Sequence, residues 1–153
     1  MKTDPLSNGV TRFTSALLGV MFYGGILATA ALPWLFRWAA RFYPSLETHY
    51  WFNTILFMLS GVGAVLIIRE LRRMFRTVLS EDCFVRQNVT SLRRMGWLGL
   101  AIALITAVRL AVLFTPATLI IIAVFFIAAL FSFVLSQVFD RAVRYKEEND
   151  LTI

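Results

Sequence analysis

Seven arginines crowd one polar stretch of this chain: Arg69, Arg72, Arg73, Arg76, Arg86, Arg93 and Arg94. Guanidinium groups grip carboxylates and phosphates through paired N–H donors. The chemistry on offer is therefore anion recognition, of lipid headgroups or of an acidic protein surface. Three acids share the stretch, Glu70, Glu81 and Asp82. A second polar cluster closes the chain: Glu147, Glu148, Asn149, Asp150, Leu151, Thr152 and Ile153. Its acids suit orientation towards a partner and its apolar side chains suit a pocket. We expect the arginines, with Phe84 and Asn88, and the closing residues Glu147, Glu148, Asn149, Asp150, Leu151 and Ile153 to form the contact surface for a partner or for lipid. The plain alternatives are a topological anchor for the arginines and a merely solvated chain end.

Three isolated groups complete the chemical inventory. Arg109 is the one formal charge inside an apolar segment. Intramembrane charges often mark transport paths, but a long side chain within about two turns of a helix end can snorkel or pair with polar groups there. His49 stands beside Glu47 and Tyr50, where it could sense pH or bind a metal, or simply be a polar surface group. Cys83 is the only cysteine, so an intrachain disulfide is excluded, and an inert thiol is the simpler reading than acylation or redox sensing. With one His and one Cys, a protein-only zinc site is not expected. No acid sits mid-span to share a proton or hold a cation. No set of acid, base, nucleophile and metal ligands emerges, so neither an enzyme nor a cofactor is expected.

The elements that must position these groups are set by hydropathy. The chain has 153 residues, 59% of them hydrophobic and 16% charged, with mean hydropathy +0.74. Apolar residues arriving in runs of about 20 mean membrane spans. Four fit: residues 13–36, 51–68, 96–114 and 117–139. We expect an all-α polytopic membrane protein, a four-transmembrane-helix bundle forming a single membrane domain over 1–153, with an amphipathic helical hinge at 69–95 and a polar tail at 140–153.

Within that frame, Ile67, Ile68, Leu71, Met74, Phe75 and Val78 recur at helical spacing opposite the arginines. Ser80 to Asp82 breaks the pattern and can cap a new helix. The second span therefore continues as a helix into the hinge, which reads as two short helices joined at Ser80 to Cys83, the second leading through Arg93 and Arg94 into the third span. Glu70 can reach Arg73 at three residues' spacing, for a few tenths of a kcal/mol. Pro33 and Pro44 bracket a short amphipathic piece, Leu35 to Tyr43, expected to lie along the outer surface. Trp34, Trp38, Phe42, Tyr43, Tyr50 and Trp51 form an interface belt around it. Thr115-Pro116 makes a tight turn, with Pro in the first helical turn. Small residues at every fourth position let helices approach closely in lipid. We expect Gly99, Ala103, Ala107 and Ala111 to face Ala128, Ser132 and Ser136, with shorter ridges at Ser60 and Ala64 and at Gly24 and Ala28.

Orientation follows from Lys and Arg. Of the fifteen, twelve fall on the face that holds both termini and the hinge. The positive-inside bias puts that face in the cytoplasm. It also accounts for the net charge of +6 without direct nucleic-acid binding. Glu147, Glu148 and Asp150 share that face with Arg86, Arg93 and Arg94 and could fold back onto them, for at most about 1 kcal/mol per exposed pair.

Two stretches carry a resemblance. One is Cys83-Phe84-Val85-Arg86-Gln87-Asn88-Val89, followed by Leu92-Arg93-Arg94-Met95-Gly96-Trp97. The other is Phe139, Ala142-Val143 and Lys146-Glu147-Glu148-Asn149-Asp150-Leu151-Thr152-Ile153. With four spans in this length, the chain resembles the bacterial membrane family known as domain of unknown function 2975. Cys83 departs from the proline usual before that phenylalanine. The resemblance implies a bacterial inner-membrane protein without catalytic residues. It also implies a link to a small helix-turn-helix regulator, whose genes often neighbour those of the family.

The leading expectation is thus a non-enzymatic regulatory or scaffold protein that shows its hinge and tail to a cytosolic partner. Anionic lipids, the helix-turn-helix regulator and a second copy of the chain are the expected partners. The other class is a small transporter, channel or immunity-type protein acting within the bilayer, which requires a wet cavity lined by Arg109, Ser60 and Ser132 or Ser136.

Overall fold

The computed structural model describes residues 5–42, 49–79, 83–112 and 114–150, with side chains described from Gly9 to Asn149. Four helices fill them: α1 Pro5–Ala40, α2 Tyr50–Leu79, α3 Arg86–Val112 and α4 Pro116–Asp150. All four are long and apolar enough to cross a membrane, and no strand occurs among the described residues. Even the shortest, α3 with 27 residues, spans about 40 Å at 1.5 Å per residue. That exceeds a hydrocarbon core of about 30 Å, so each helix overhangs.

The overhangs bear on three expectations. The hinge is, as its spacing predicts, two helical pieces continuous with the spans on either side. Its first half is the end of α2, which runs unbroken to Leu79, and its second half is the start of α3. No Gly or Pro interrupts 69–79, and Arg, Leu and Met are good helix formers. Ser80 to Asp82 lie outside the described residues, while Cys83 to Val85 are non-helical. The tail likewise continues α4 as helix to Asp150; Leu151, Thr152 and Ile153 lie outside the description. The surface piece expected after Pro33 is instead the last part of α1, which carries Pro33 inside it. Pro33 lacks the N–H that would bond the Thr29 carbonyl one turn earlier, and its own carbonyl accepts the Tyr50 hydroxyl at 2.9 Å, which ties the end of α1 to the start of α2. Tyr43 and Pro44 are outside the described residues.

Packing is serial. α1 contacts α2, α2 contacts α3, and α3 contacts α4, while α1 and α4 do not meet among the described residues. The bundle is therefore open along one side. α3 is its central stave, buried towards α2 and towards α4 through Val89, Leu92, Met95, Gly96, Gly99, Ile102 and Ala103. α4 buries one heptad-spaced line, Ala129, Ser136 and Val143. Outward faces are apolar: Val20, Leu27 and Phe131 are each two-thirds exposed or more. So are Trp34 and Trp51, as an interface belt requires.

The small residues do make the close contacts, one position away from several expected ones. Gly99 and Ala103 are buried, but Gly99 faces Ala129 rather than Ala128, which is exposed. Ala111 is exposed too. On the α1–α2 seam, Gly61 meets Thr29, and Gly25 lies against Val65; Gly24 meets nothing within 4 Å. Glycine is required at Gly99, where a Cβ would lie 3.2 Å from the Ala129 Cβ and 3.3 Å from the Phe125 carbonyl oxygen. That oxygen belongs to a helix backbone and has little room to retreat. Gly99→Val is expected to cost about 1–3 kcal/mol by overpacking, and Gly24→Val to stay within about 0.5 kcal/mol. Denaturation of the detergent-solubilised protein checks this; equal midpoints for the two variants would contradict the α3–α4 seam described.

Candidate functional site

Polar side chains gather at the two ends of the helices. At the basic end, the α2–α3 seam holds Glu70, only 7% exposed. Ser91 on α3 donates its hydroxyl to Glu70 at 2.7 Å. The guanidinium groups of Arg73 and Arg94 each approach the same carboxylate at 3.6 Å. Glu70 is thus more than the weak same-helix partner of Arg73 that its spacing suggests; it ties two helices together. Nearer the turn, buried Asn88 donates through Nδ2 to the Thr77 hydroxyl at 2.7 Å and to the Cys83 carbonyl at 2.8 Å. Thr77 in turn donates to the Met74 carbonyl at 2.7 Å. Asn88 therefore stitches the end of α2, the connecting turn and the start of α3 together. Its role is positioning rather than surface contact.

The remaining basic-end residues form further contacts or lie on the exposed surface. Arg86 donates from Nε to Glu147 Oε1 at 3.1 Å and from Nη2 to Oε2 at 2.9 Å. This two-pronged contact joins the start of α3 to the end of α4. Phe84 and Phe139 stack beside it, centroids 5.7 Å apart. Arg144 pairs with Asp140 at 2.9 Å. Arg72 lies over Phe22, 5.0 Å from the ring centre, and near Tyr23. Arg69, Arg76 and Arg93 are exposed, as are Glu148 and Asn149. A shallow recess of about 170 Å3 has Arg86, Thr90, Arg93 and Asp140 on its rim. The structure thus brings Arg86, Arg93, Phe84 and Glu147 to one region. Arg73 and Arg94 sit on the α2–α3 seam, and Arg69, Arg72 and Arg76 lie along α2. The side chain of Asp150, and Leu151 and Ile153, lie outside the description.

At the far end stands Arg109. Its Nε donates to Asn53 Oδ1 at 3.3 Å and its Nη1 to Thr118 Oγ1 at 3.2 Å. Its guanidinium carbon lies 4.8 Å from the Phe57 ring centre. Arg109 is thus paired with uncharged groups on α2 and α4. Sequence reasoning named Arg109 but neither Asn53 nor Thr118; their one visible signal was polarity at the matching depth of neighbouring spans. A cavity of about 350 Å3 runs inward from Arg109 between the helices, and Ser60 also lines it. Ser132 and Ser136 do not: their hydroxyls donate to the carbonyls of Ala128 and Phe133 on their own helix. The lining is otherwise largely apolar, with Leu32, Ile105 and Phe125 among it. His49 accepts the Asn53 backbone N–H through its carbonyl. Cys83 is half-buried with a free thiol. No group of three His, Cys, Asp or Glu comes together as metal ligands among the described residues.

Four lipid-length helices, apolar outside and with polar groups drawn between them, define a multi-pass membrane protein. The family described as "Protein of unknown function (DUF2975)" matches residues 34–153, and the chain belongs to that family. No curated protein and no solved structure matches it.

The Arg86–Glu147 contact lies beyond the apolar stretch that ends at Phe139, and it has a pH signature. The hydrogen bond from Arg86 holds the Glu147 carboxyl below its ordinary value of 4.5. A depressed carboxyl contributes its attraction in full above that ordinary value and loses it as pH falls through the lowered one. The carboxyl 13C shift of Glu147 should therefore titrate below 4.5 and return towards it in Arg86→Gln. A wild-type midpoint at or above the ordinary value would remove the pair.

Proposed function

We propose that this protein is a non-enzymatic regulatory or scaffold protein of the bacterial inner membrane. Its basic end and both termini face the cytoplasm. There it presents the surface around Phe84, Arg86, Arg93 and Glu147, with the residues that follow, to a cytosolic partner. The observation that carries this reading is the two-pronged contact from Arg86 to Glu147. It makes one surface of two segments 61 residues apart. A purely topological anchor needs only positive charge on one side of the membrane. It has no use for a charge-paired junction between a hinge and a chain end.

The twelve-of-fifteen bias of Lys and Arg supports the orientation. Exposed Arg69 and Arg76 suit anionic headgroups, each contributing about 1 kcal/mol near such a surface. The family resemblance makes a small helix-turn-helix regulator the class of partner to look for first.

The test is photo-crosslinking in native membranes from a probe residue at Gln87, with the captured protein identified. Deleting Asn149 to Ile153, or reversing charge with Arg86→Glu, should each cut capture roughly tenfold, a loss of about 1.4 kcal/mol. Combining Arg86→Glu with Glu147→Arg should restore part of it. Recovery that is unchanged by both lesions would overturn the proposal. Orientation is read separately: a cysteine at Phe75, with Cys83→Ser, should react only from the cytoplasmic side.

A further inference from the structure

We propose that the groove leading inward from Arg109 is a binding site for one anionic membrane lipid, its acyl chain in the groove and its headgroup oxygens on Arg109. The inference concerns the far end of the molecule and stands apart from the partner reading.

Three observations carry it. The first is an imbalance of donors and acceptors. Arg109, Asn53 and Thr118 form a cluster in which the acceptors in use are one amide oxygen and one hydroxyl. A guanidinium has five N–H donors and no acceptor. The Asn53 amide is wholly buried, and its Nδ2 has no hydrogen-bond partner. Thr54 Oγ1 beside it is likewise buried and unpaired. No carboxylate among the described residues approaches Arg109 within 4.0 Å, whereas Arg73, Arg86, Arg94 and Arg144 all have one. Among the described residues this cluster has no anionic acceptor. The positive N-terminal ends of α2 and α4 lie at the same level and add to that demand.

The second observation is the shape of the groove. It extends from Arg109 to Ile102 along α3, which is about 10 Å of helix. Its volume of about 350 Å3 falls within the roughly 300–1,000 Å3 of small-ligand sites. Two of its hydroxyl residues, Thr29 and Thr106, spend their O–H groups on the carbonyls of Gly25 and Ile102 in their own helices. The groove therefore offers hydrocarbon surface along its length and a cation at one end, the same arrangement as an acyl chain and its headgroup.

The third is the route of entry. α1 and α4 both contribute to the lining, through residues such as Ala28 and Phe125, yet among the described residues they make no contact with each other. The groove opens sideways between them, towards the bilayer, where a lipid can enter without crossing a polar surface.

The experiment uses the full chain in liposomes doped with phosphatidylglycerol or phosphatidylcholine bearing a photoreactive acyl chain, with attachment mapped by peptide. Mapping separates the groove from lipid held by arginines at the basic end. Label on residues 56–64 and 102–109 should favour phosphatidylglycerol by about tenfold, the contribution of one charge-assisted hydrogen bond. Arg109→Gln should abolish that preference. Ala28→Trp fills the groove from an exposed position, so it should remove the label from both lipids while the thermal midpoint stays unchanged. Equal labelling by the two lipids, a preference that survives Arg109→Gln, or groove label that survives Ala28→Trp would each overturn the proposal. So would a protein dimer that occludes an unlabelled groove.

Discussion

Hydrocarbon accepts no hydrogen bond, and the architecture follows from that. An unpaired polar group facing lipid costs several kcal/mol, so a polar side chain on a spanning helix must turn towards another helix, bond a carbonyl of its own helix as Ser132 does, or reach an end. The largest wholly buried side chains here are Asn53, Asn88 and Thr118, all polar, while Leu27, Phe131 and Val20 point outwards. A water-soluble bundle would reverse this assignment. Two of those three buried groups partner one residue, Arg109, and the third locks the turn between α2 and α3. The polar groups thus determine which helix faces which, and the apolar residues fill what remains.

This explains why α3 is central. Like α2, whose Gly61 meets Thr29 of α1 while its Asn53, Gly63 and Glu70 face α3, it carries polar or small residues on two sides: Asn88, Ser91 and Arg109 bond towards α2, and Gly96 and Gly99 lie against Phe133 and Ala129 of α4. The seam of α1 with α2 is built from Gly25, Thr29 and Gly61. Among the described residues α1 and α4 make no contact that would close the ring. The open side, and the groove within it, are consequences of where the polar residues fall in the sequence.

The number of helices and the spans were legible because runs of about 20 apolar residues have one solution in lipid. The phase of each helix was harder to read. Successive residues are 100° apart on a helix, so choosing Ala128 instead of Ala129, or Gly24 instead of Gly25, turns the ridge by that angle. Both pairs are doublets of small residues, and side-chain size alone does not choose between their members. The polar residues do: Ser136 lies seven residues after Ala129 and Thr118 eleven before it, both spacings that return to nearly the same face of a helix, and Thr29 stands four residues after Gly25. The ends of the helices do not coincide with the ends of the apolar runs, for a different reason. Polarity changes at the edge of the hydrocarbon, but helix propensity does not, so Arg69 to Leu79 and Asp140 to Asp150 remain helical in polar surroundings. Contacts between elements, such as Glu70 with Ser91 and Arg109 with Asn53, lie 21 and 56 residues apart. No local pattern encodes them.

Glu70 shows what such a contact can do. A buried charge cluster is a poor source of stability, since desolvation offsets most of its attraction. An apolar residue at position 70 would suit the seam at least as well on that account. What the carboxylate supplies is register. Ser91 meets it at 2.7 Å and the guanidinium groups of Arg73 and Arg94 at 3.6 Å. Sliding α2 past α3 by one turn, about 5.4 Å, would leave the acid buried and detached from all of its partners on α3. Apolar residues on both faces would tolerate that slip, because one leucine in a seam resembles another. The same slip would separate Asn88 from Thr77 and, at the other end, Asn53 from Arg109. Three polar contacts spaced along one seam therefore admit a single alignment of the two central helices. The position of Arg109 against the α2 side of the groove is set by that alignment, whereas that of Arg86 against Glu147 depends on the α3–α4 seam, where Gly99 meets Ala129 and Gly96 meets Phe133.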